Sequence, residues 1–169
     1  SFNDPGEITT DGTNLYVADR GNHKIRKIVI STGAVTTIAG TGSIGSTDHN
    51  TGTSASFNQA HGITTDGTNL YVADTFNHKI RKIVISTGAV TTLAGTGSAG
   101  STDHNTGTSA SFHHPSGITT DGTNLYVSNN STHTIRKIVI STGAVTTLAG
   151  TGSIGFTDHN TGTSASFNY

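Results

Sequence analysis

The chain contains no cysteine, which rules out disulfides, a thiolate metal cluster and a cysteine nucleophile, and leaves the redox compartment open. Charge is scarce: Asp, Glu, Lys and Arg together make up 11% of the residues, and the net charge is −1. Neither a disordered polyelectrolyte nor a strongly basic nucleic-acid binder has that balance. No apolar run approaches the roughly 18 residues a membrane-spanning helix needs. The opening residues do not form a charged-then-apolar leader, and the chain starts at Ser1 rather than methionine, so a processed or excised piece is expected. Proline occurs only at Pro5 and Pro115, ahead of expected first strands, where a missing N–H does least harm. No useful stretch carries a 3.6-residue period, so helix is not expected. What is present is 31% hydrophobic residue and 22 glycines, with serine and threonine filling the space charge usually takes. A packed core is within reach of that composition.

The chain divides into three units of 55 residues with four residues left over. Phe2, Phe57, Phe112 and Phe167 recur at that interval, as do DGTNLYV, IRKIVISTGAVTT and TDHNTGTSASF. Only four of 49 positions differ between residues 8–56 and 63–111, which points to recent duplication or deliberate design. Each unit reads as four short strands. In the second, Ile63-Thr64-Thr65 ends at Asp66-Gly67, Leu70 to Ala73 resumes, Ile80 to Ile85 follows a polar turn, and Ser86-Thr87-Gly88 reverses the chain into Ala89 to Leu93. Four antiparallel strands repeated at this length predict an all-β β-propeller. A β-solenoid is the competing fold, but its coils are usually shorter and lack repeated DG and STG hairpin turns.

The string GITTDGTNLYVADTFNHKIRKI, followed by GAVTTLAG and a Phe ahead of the next first strand, closely resembles the NHL repeat, whose naming segment stands here as Asn77-His78-Lys79-Ile80. The resemblance covers all three units. It implies propeller blades at residues 1–55, 56–110 and 111–165, with 166–169 repeating the start of a blade, and NHL propellers are usually six-bladed. The third unit departs at residues 128–133, SNNSTH, where the second has ADTFNH, which puts its turn in question.

Three blades cannot close a ring, and an open fan would expose apolar faces and sheet edges. The expected partner is a second copy, giving a six-bladed homodimer. Phe2 and Phe167 are expected at the ring-closing interface with Val29 and Val139, along with Ile28 and Ile138. Phe2 and Phe167 compete for one slot. An interface of about 2,000 Å² or more is needed to offset the entropy of association.

Differences between units cluster before the first strand and between the second and third strands, at one end of the propeller. Arg20, His61, Phe76, His113 and His114 are therefore candidates for a binding face, against simple drift in exposed loops. The other end carries the uniform DGTN and STGA turns. His49, His104 and His159 sit in the long Gly/Ser/Thr loop as weak transition-metal candidates. His61, His113 and His114 could attract adventitious zinc or nickel, while His23, His78 and His133 are expected to pack or hydrogen-bond near the blade turn. Residues 48–53, DHNTGT, resemble calcium-loop spacing but lack the closing Glu, so a local Asx turn competes with calcium. Lys24-Arg26-Lys27 and its repeats raise RNA binding, opposed by the near-zero net charge and the alternation with buried isoleucines. Near-identical blades supply the same residue repeatedly, and Glu7 is the single glutamate. Differentiated acid and base roles are hard to build from that, so no enzyme activity and no cofactor are expected. The reading is a self-assembling, non-enzymatic propeller scaffold, with ligand or protein binding through the variable face as the alternative. Localisation cannot be read from the chain.

Overall fold

A computed structural model describes residues 1–168 as three four-stranded antiparallel sheets, each a simple meander. Tyr169, the last residue of the repeated tail, lies outside the described residues. The first sheet comprises β1 (Pro5–Thr10), β2 (Asn14–Asp19), β3 (Lys24–Val29) and β4 (Val35–Ala39). The second comprises β5 (Ile63–Thr65), β6 (Asn69–Asp74), β7 (Lys79–Val84) and β8 (Val90–Ala94). The third comprises β9 (Pro115–Thr120), β10 (Asn124–Asn129), β11 (Thr134–Val139) and β12 (Val145–Ala149).

The repeated turns explain why these strands pair. In the first hairpin, Gly12 adopts φ +87°, a conformation that favours glycine. Asp11 Oδ1 accepts the N–H groups of Thr13 at 2.9 Å and Asn14 at 2.7 Å, and Asp11 Oδ2 accepts the Tyr16 hydroxyl at 2.8 Å. Burial raises the Asp11 carboxyl, but the hydrogen bonds from Asn14, Thr13 and Tyr16 outweigh it and hold the group well below the usual carboxylate range. Burial and the same carboxylate push the Tyr16 hydroxyl up to about 12. Asp66 with Tyr71 and Asp121 with Tyr126 repeat the clamp.

Neighbouring sheets pack face to face. Tyr16, Ala18, Ile25 and Ala39 of the first sheet meet Ile63, Leu70, Val72, Ile83 and Val90 of the second. Tyr71, Ala73, Ile80 and Ala94 of the second meet Ile118, Leu125, Val127, Ile138 and Val145 of the third. Side chains alternate across a strand, so the first and second sheets present Tyr and Ala with one isoleucine, Ile25 or Ile80, forward, and the second and third present the Ile/Leu/Val set backward.

The long loop after each fourth strand is a joint between sheets. Ala55 and Phe57 are fully buried in the first inter-sheet cluster, and Ala110 and Phe112 in the second. Gly52 passes so close to its surroundings that a Cβ there would collide with the carbonyl oxygens of Ile38 and Gly88. His49 forms an antiparallel bridge with Val90 of the next sheet, and His104 does the same with Val145. Covering this segment with inter-sheet contacts is what lets a loop of this length stay ordered.

Candidate binding face and ring-closing faces

Each internal junction is centred on a buried arginine. Arg81, with no exposed surface, reaches back into the preceding loop, where its Nε and Nη2 donate to Asp48 Oδ1 at 3.1 and 2.6 Å. Nη2 also donates to the Thr47 carbonyl, and Nη1 to the Ser56 carbonyl and Asp74 Oδ2. The Phe57 ring lies 5.1 Å from the guanidinium carbon. Asp48 further accepts the Thr92 N–H at 2.9 Å. Arg136 repeats the set with Asp103, Thr102, Ser111 and Phe112, and Asp103 accepts the Thr147 N–H in turn.

One expectation, the Asx turn, is corrected here, and two weaker alternatives lose support. The 48–53 loop is neither a calcium loop nor an Asx turn, because Asp48 is engaged by an arginine 33 positions away. The arginines of the Lys-Arg clusters do not contribute to a basic face, because Arg81 and Arg136 are wholly buried and Arg26 keeps only 16% side-chain exposure.

The outer faces of the first and third sheets lack neighbours among the described residues. On the first, Ile8 is 55% exposed and Val35 42%, whereas their counterparts Ile63 and Val90 are 3% and 1% exposed. On the third, Leu148 is 47% exposed. Of the residues expected at ring closure, Val139 pairs with Asn124 and shares the open face with Tyr126. Val29 does not: it pairs with Asn14 and so lies on the face of Tyr16 and Ala18, toward the second sheet. Strand alternation also divides the other pair, leaving Ile28 on the open face and placing Ile138 in the internal cluster. Phe2 and Phe167 are each 38% exposed. Phe2 lies over Arg26 at 5.3 Å, as Phe57 lies over Arg81. Phe167 bridges Ile154, the counterpart of the Ile44–Phe57 bridge.

At the variable end, a cleft is lined by Arg20 from the first unit, His61, Thr75 and Phe76 from the second, and His114 and Ser116 from the third, among others. Four of the five variable-face candidates therefore come together. His113 is not among its lining residues and instead stacks edge-on with His78 at 5.5 Å. Arg20 Nη2 donates to Gln59 Oε1 at 3.2 Å, and Arg20 also pairs with Asp4. Phe76 is 45% exposed, and its ring lies 5.1 Å from that of His114.

The NHL-position histidines cap turns, and two of them hydrogen-bond to the backbone of the next unit, partners that sequence spacing did not reveal. His23, His78 and His133 end short 3-10 turns with φ of 53°, 54° and 50°. His23 Nδ1 accepts the Gln59 N–H at 3.1 Å, and His78 Nδ1 accepts the His114 N–H at 3.2 Å, so each ring ties its unit to the next. Burial lowers His78, reinforced by His114 and His113 nearby, and burial with His113 lowers His114. His49, His104 and His159 remain in separate loops, each with Nδ1 accepting a threonine N–H two residues on. Among the described residues, no three His, Cys, Asp or Glu side chains are grouped to hold a metal ion.

No family model matches the chain. Human NHL repeat-containing protein 2 is 32% identical over 145 residues, covering 79% of this chain and 20% of that protein. The chain belongs to the NHL-repeat family. It spans about a fifth of the length of the mammalian relatives it matches. Among solved structures, a Bacteroides thetaiotaomicron protein of unknown function superposes with a TM-score of 0.75 at 22% identity, covering 98% of this chain and 40% of that one. A Bacteroides ovatus auxiliary nutrient binding protein gives 0.72 at 20% identity, covering 99% and 42%. At these identities the likeness speaks for the fold alone: the NHL-repeat sheets are propeller blades. Among the described residues, no helix is long and apolar enough to cross a membrane.

Proposed function

We propose that this NHL-repeat chain is a non-enzymatic, self-assembling propeller segment that closes a six-bladed ring with a second copy and offers its variable face for binding. The observation that carries this reading is the pair of open faces. The first blade leaves Ile8, Ile30 and Val35 exposed where the matching positions of the second pack into a junction, and the third leaves Leu148 exposed and Tyr126 half-buried, with Ser128 where the other blades have Ala18 and Ala73. A contact the chain already makes twice is available once more between copies. The test is the mass in solution. Two chains are expected at micromolar concentration, and Ile30→Asp, on the open face at 50% exposure, should give one chain or aggregate. A wild-type monomer would sink the reading, and three or four chains would redirect it to a larger ring.

A second reading, binding of a small ligand at the variable end, is favoured by the three-blade cleft and its exposed Phe76. Two of the structural neighbours, from Bacteroides, are described as auxiliary nutrient binding proteins. Loss of ligand-induced thermal stabilisation in Phe76→Ala would support it. RNA binding draws less support, since the arginines that would form its footprint are turned inward.

A further inference from the structure

Arg26 is the one repeated arginine whose loop partner is missing. It donates from Nη1 to Asp19 at 3.0 Å, but its buried Nε has no partner among the described residues. The Arg136 Nε is likewise unpaired there, yet Arg136 holds its loop aspartate through Nη2, and Arg81 holds Asp48 through both Nε and Nη2. The reciprocal orphan lies at the other end of the chain. Asp158 is the 55-residue counterpart of Asp48 and Asp103, is exposed, and enters no following blade among the described residues. Its loop already has the fold of the two loops that clasp an arginine. Thr157 N–H donates to Ser166 Oγ at 3.0 Å and Thr161 N–H to His159 Nδ1 at 3.0 Å, matching the bonds around Asp48 and Asp103.

Resting on the ring-closure reading above, we infer that residues 154–168 form an intermolecular clasp, in which Asp158 of a second copy supplies the missing acceptor for Arg26 and the Thr37 N–H while His159 pairs by backbone with Val35. The bonds are those that Asp48 makes to Arg81 and Thr92, and His49 to Val90. Phe156 adds a contact peculiar to this junction. It stands where the first unit has Ser46, which accepts the Lys79 ammonium at 2.8 Å, and it is 90% exposed. Lys24, on the same blade as Arg26, would meet an aromatic face there. The clasp sets the polarity of closure, because a third blade offers Asp158 and only a first blade offers an unfilled Arg26.

The absence of cysteine makes the test clean. His49 and Val90 exchange both backbone hydrogen bonds, at 3.1 and 2.9 Å, a pairing whose Cα separation of about 5.5 Å falls within disulfide reach. Val35→Cys with His159→Cys should therefore oxidise to a closed covalent dimer. Val90→Cys with His49→Cys should cross-link within one chain. Separately, Asp158→Asn, a change in an exposed loop, should weaken dimerisation roughly 30-fold or more, as expected when one partner of a buried charged pair is removed. A dimer by mass that neither cross-links at 35 and 159 nor responds to Asp158→Asn would overturn the clasp and leave ring closure standing. A monomeric wild type would remove both, and an intrachain 35–159 disulfide or a ladder of longer oligomers would overturn two-chain clasping.

Discussion

His78, His113 and His114 lie with ring centroids 4.8–5.5 Å apart, and the backbone between two blades depends on His78 Nδ1 staying unprotonated to accept the His114 N–H. Burial and the neighbouring imidazoles depress His78 and His114 below the ordinary 6.5. A depressed folded value means the unfolded chain takes up the proton first. The stabilisation is therefore complete above about 6.5 and fades as pH falls through that value and below it. Melting temperature should accordingly drop between about pH 7.5 and about pH 5, and His114→Gln should shrink that drop. Glutamine fits the site, since Gln59 holds the equivalent left-handed position at φ 49° against 52° for His114. An unchanged drop in the variant would show that this cluster does not set the acid limit. The repeat marked His23, His78 and His133 as structural, but it could not show that each one caps a turn, nor that His23 and His78 reach a backbone N–H 36 positions on.

At the scale of the strand and its turn, the Asp-Gly hairpin is stabilised by a side-chain clamp. Asp66→Ala removes the acceptor of the wholly buried Tyr71 hydroxyl at 2.7 Å and of the Thr68 and Asn69 N–H groups. The expected cost is about 1–3 kcal/mol, and Tyr71→Phe should cost about 1 kcal/mol. Both are readable from denaturant midpoints. The Asp66 carboxyl is held below its ordinary 3.8, so its contribution is present above that value and declines as pH falls through it. The gap between wild type and Asp66→Ala should narrow in acid. A gap independent of pH would mean that the variant acts through backbone freedom at the turn. The strands and their DG and STG turns were legible because they are local patterns of residue type. The role of the long loop's aspartate was not, because its partners lie in the next blade: Asp48 reads as a loop aspartate until Arg81 and Thr92 are brought beside it. Val29 shows the same limit, since the face a strand residue occupies depends on register, and neighbours such as Ile28 and Val29 take opposite sides.

On the scale of the whole molecule, the chain carries four Phe segments for three blades, so a two-chain ring holds two more than its six slots. Phe2 fills the first slot in its own chain: it covers Arg26, and the following Asn3 N–H donates to Asp19 Oδ1 at 2.9 Å. The internal joints show the same pairing, with Phe57 on Arg81 and the Asn58 N–H on Asp74 at 2.8 Å. Phe167 and Asn168 continue the series with no slot of their own among the described residues. Closing the ring therefore brings Phe167 of one copy against Phe2 of the other, and one segment must give way at each junction. Redundancy of that kind predicts non-additivity. Phe2→Ala and Phe167→Ala should each destabilise the dimer slightly, because the other ring can fill the slot. The double variant should lose about 3–5 kcal/mol at each emptied junction, the usual cost of deleting a buried phenylalanine. Phe57→Ala has no substitute and should show a loss of that size alone. Denaturation at fixed dimer concentration reads all four proteins. If Phe2→Ala alone costs as much as Phe57→Ala, Phe167 does not enter the slot, and closure relies on the N-terminal ring of each chain.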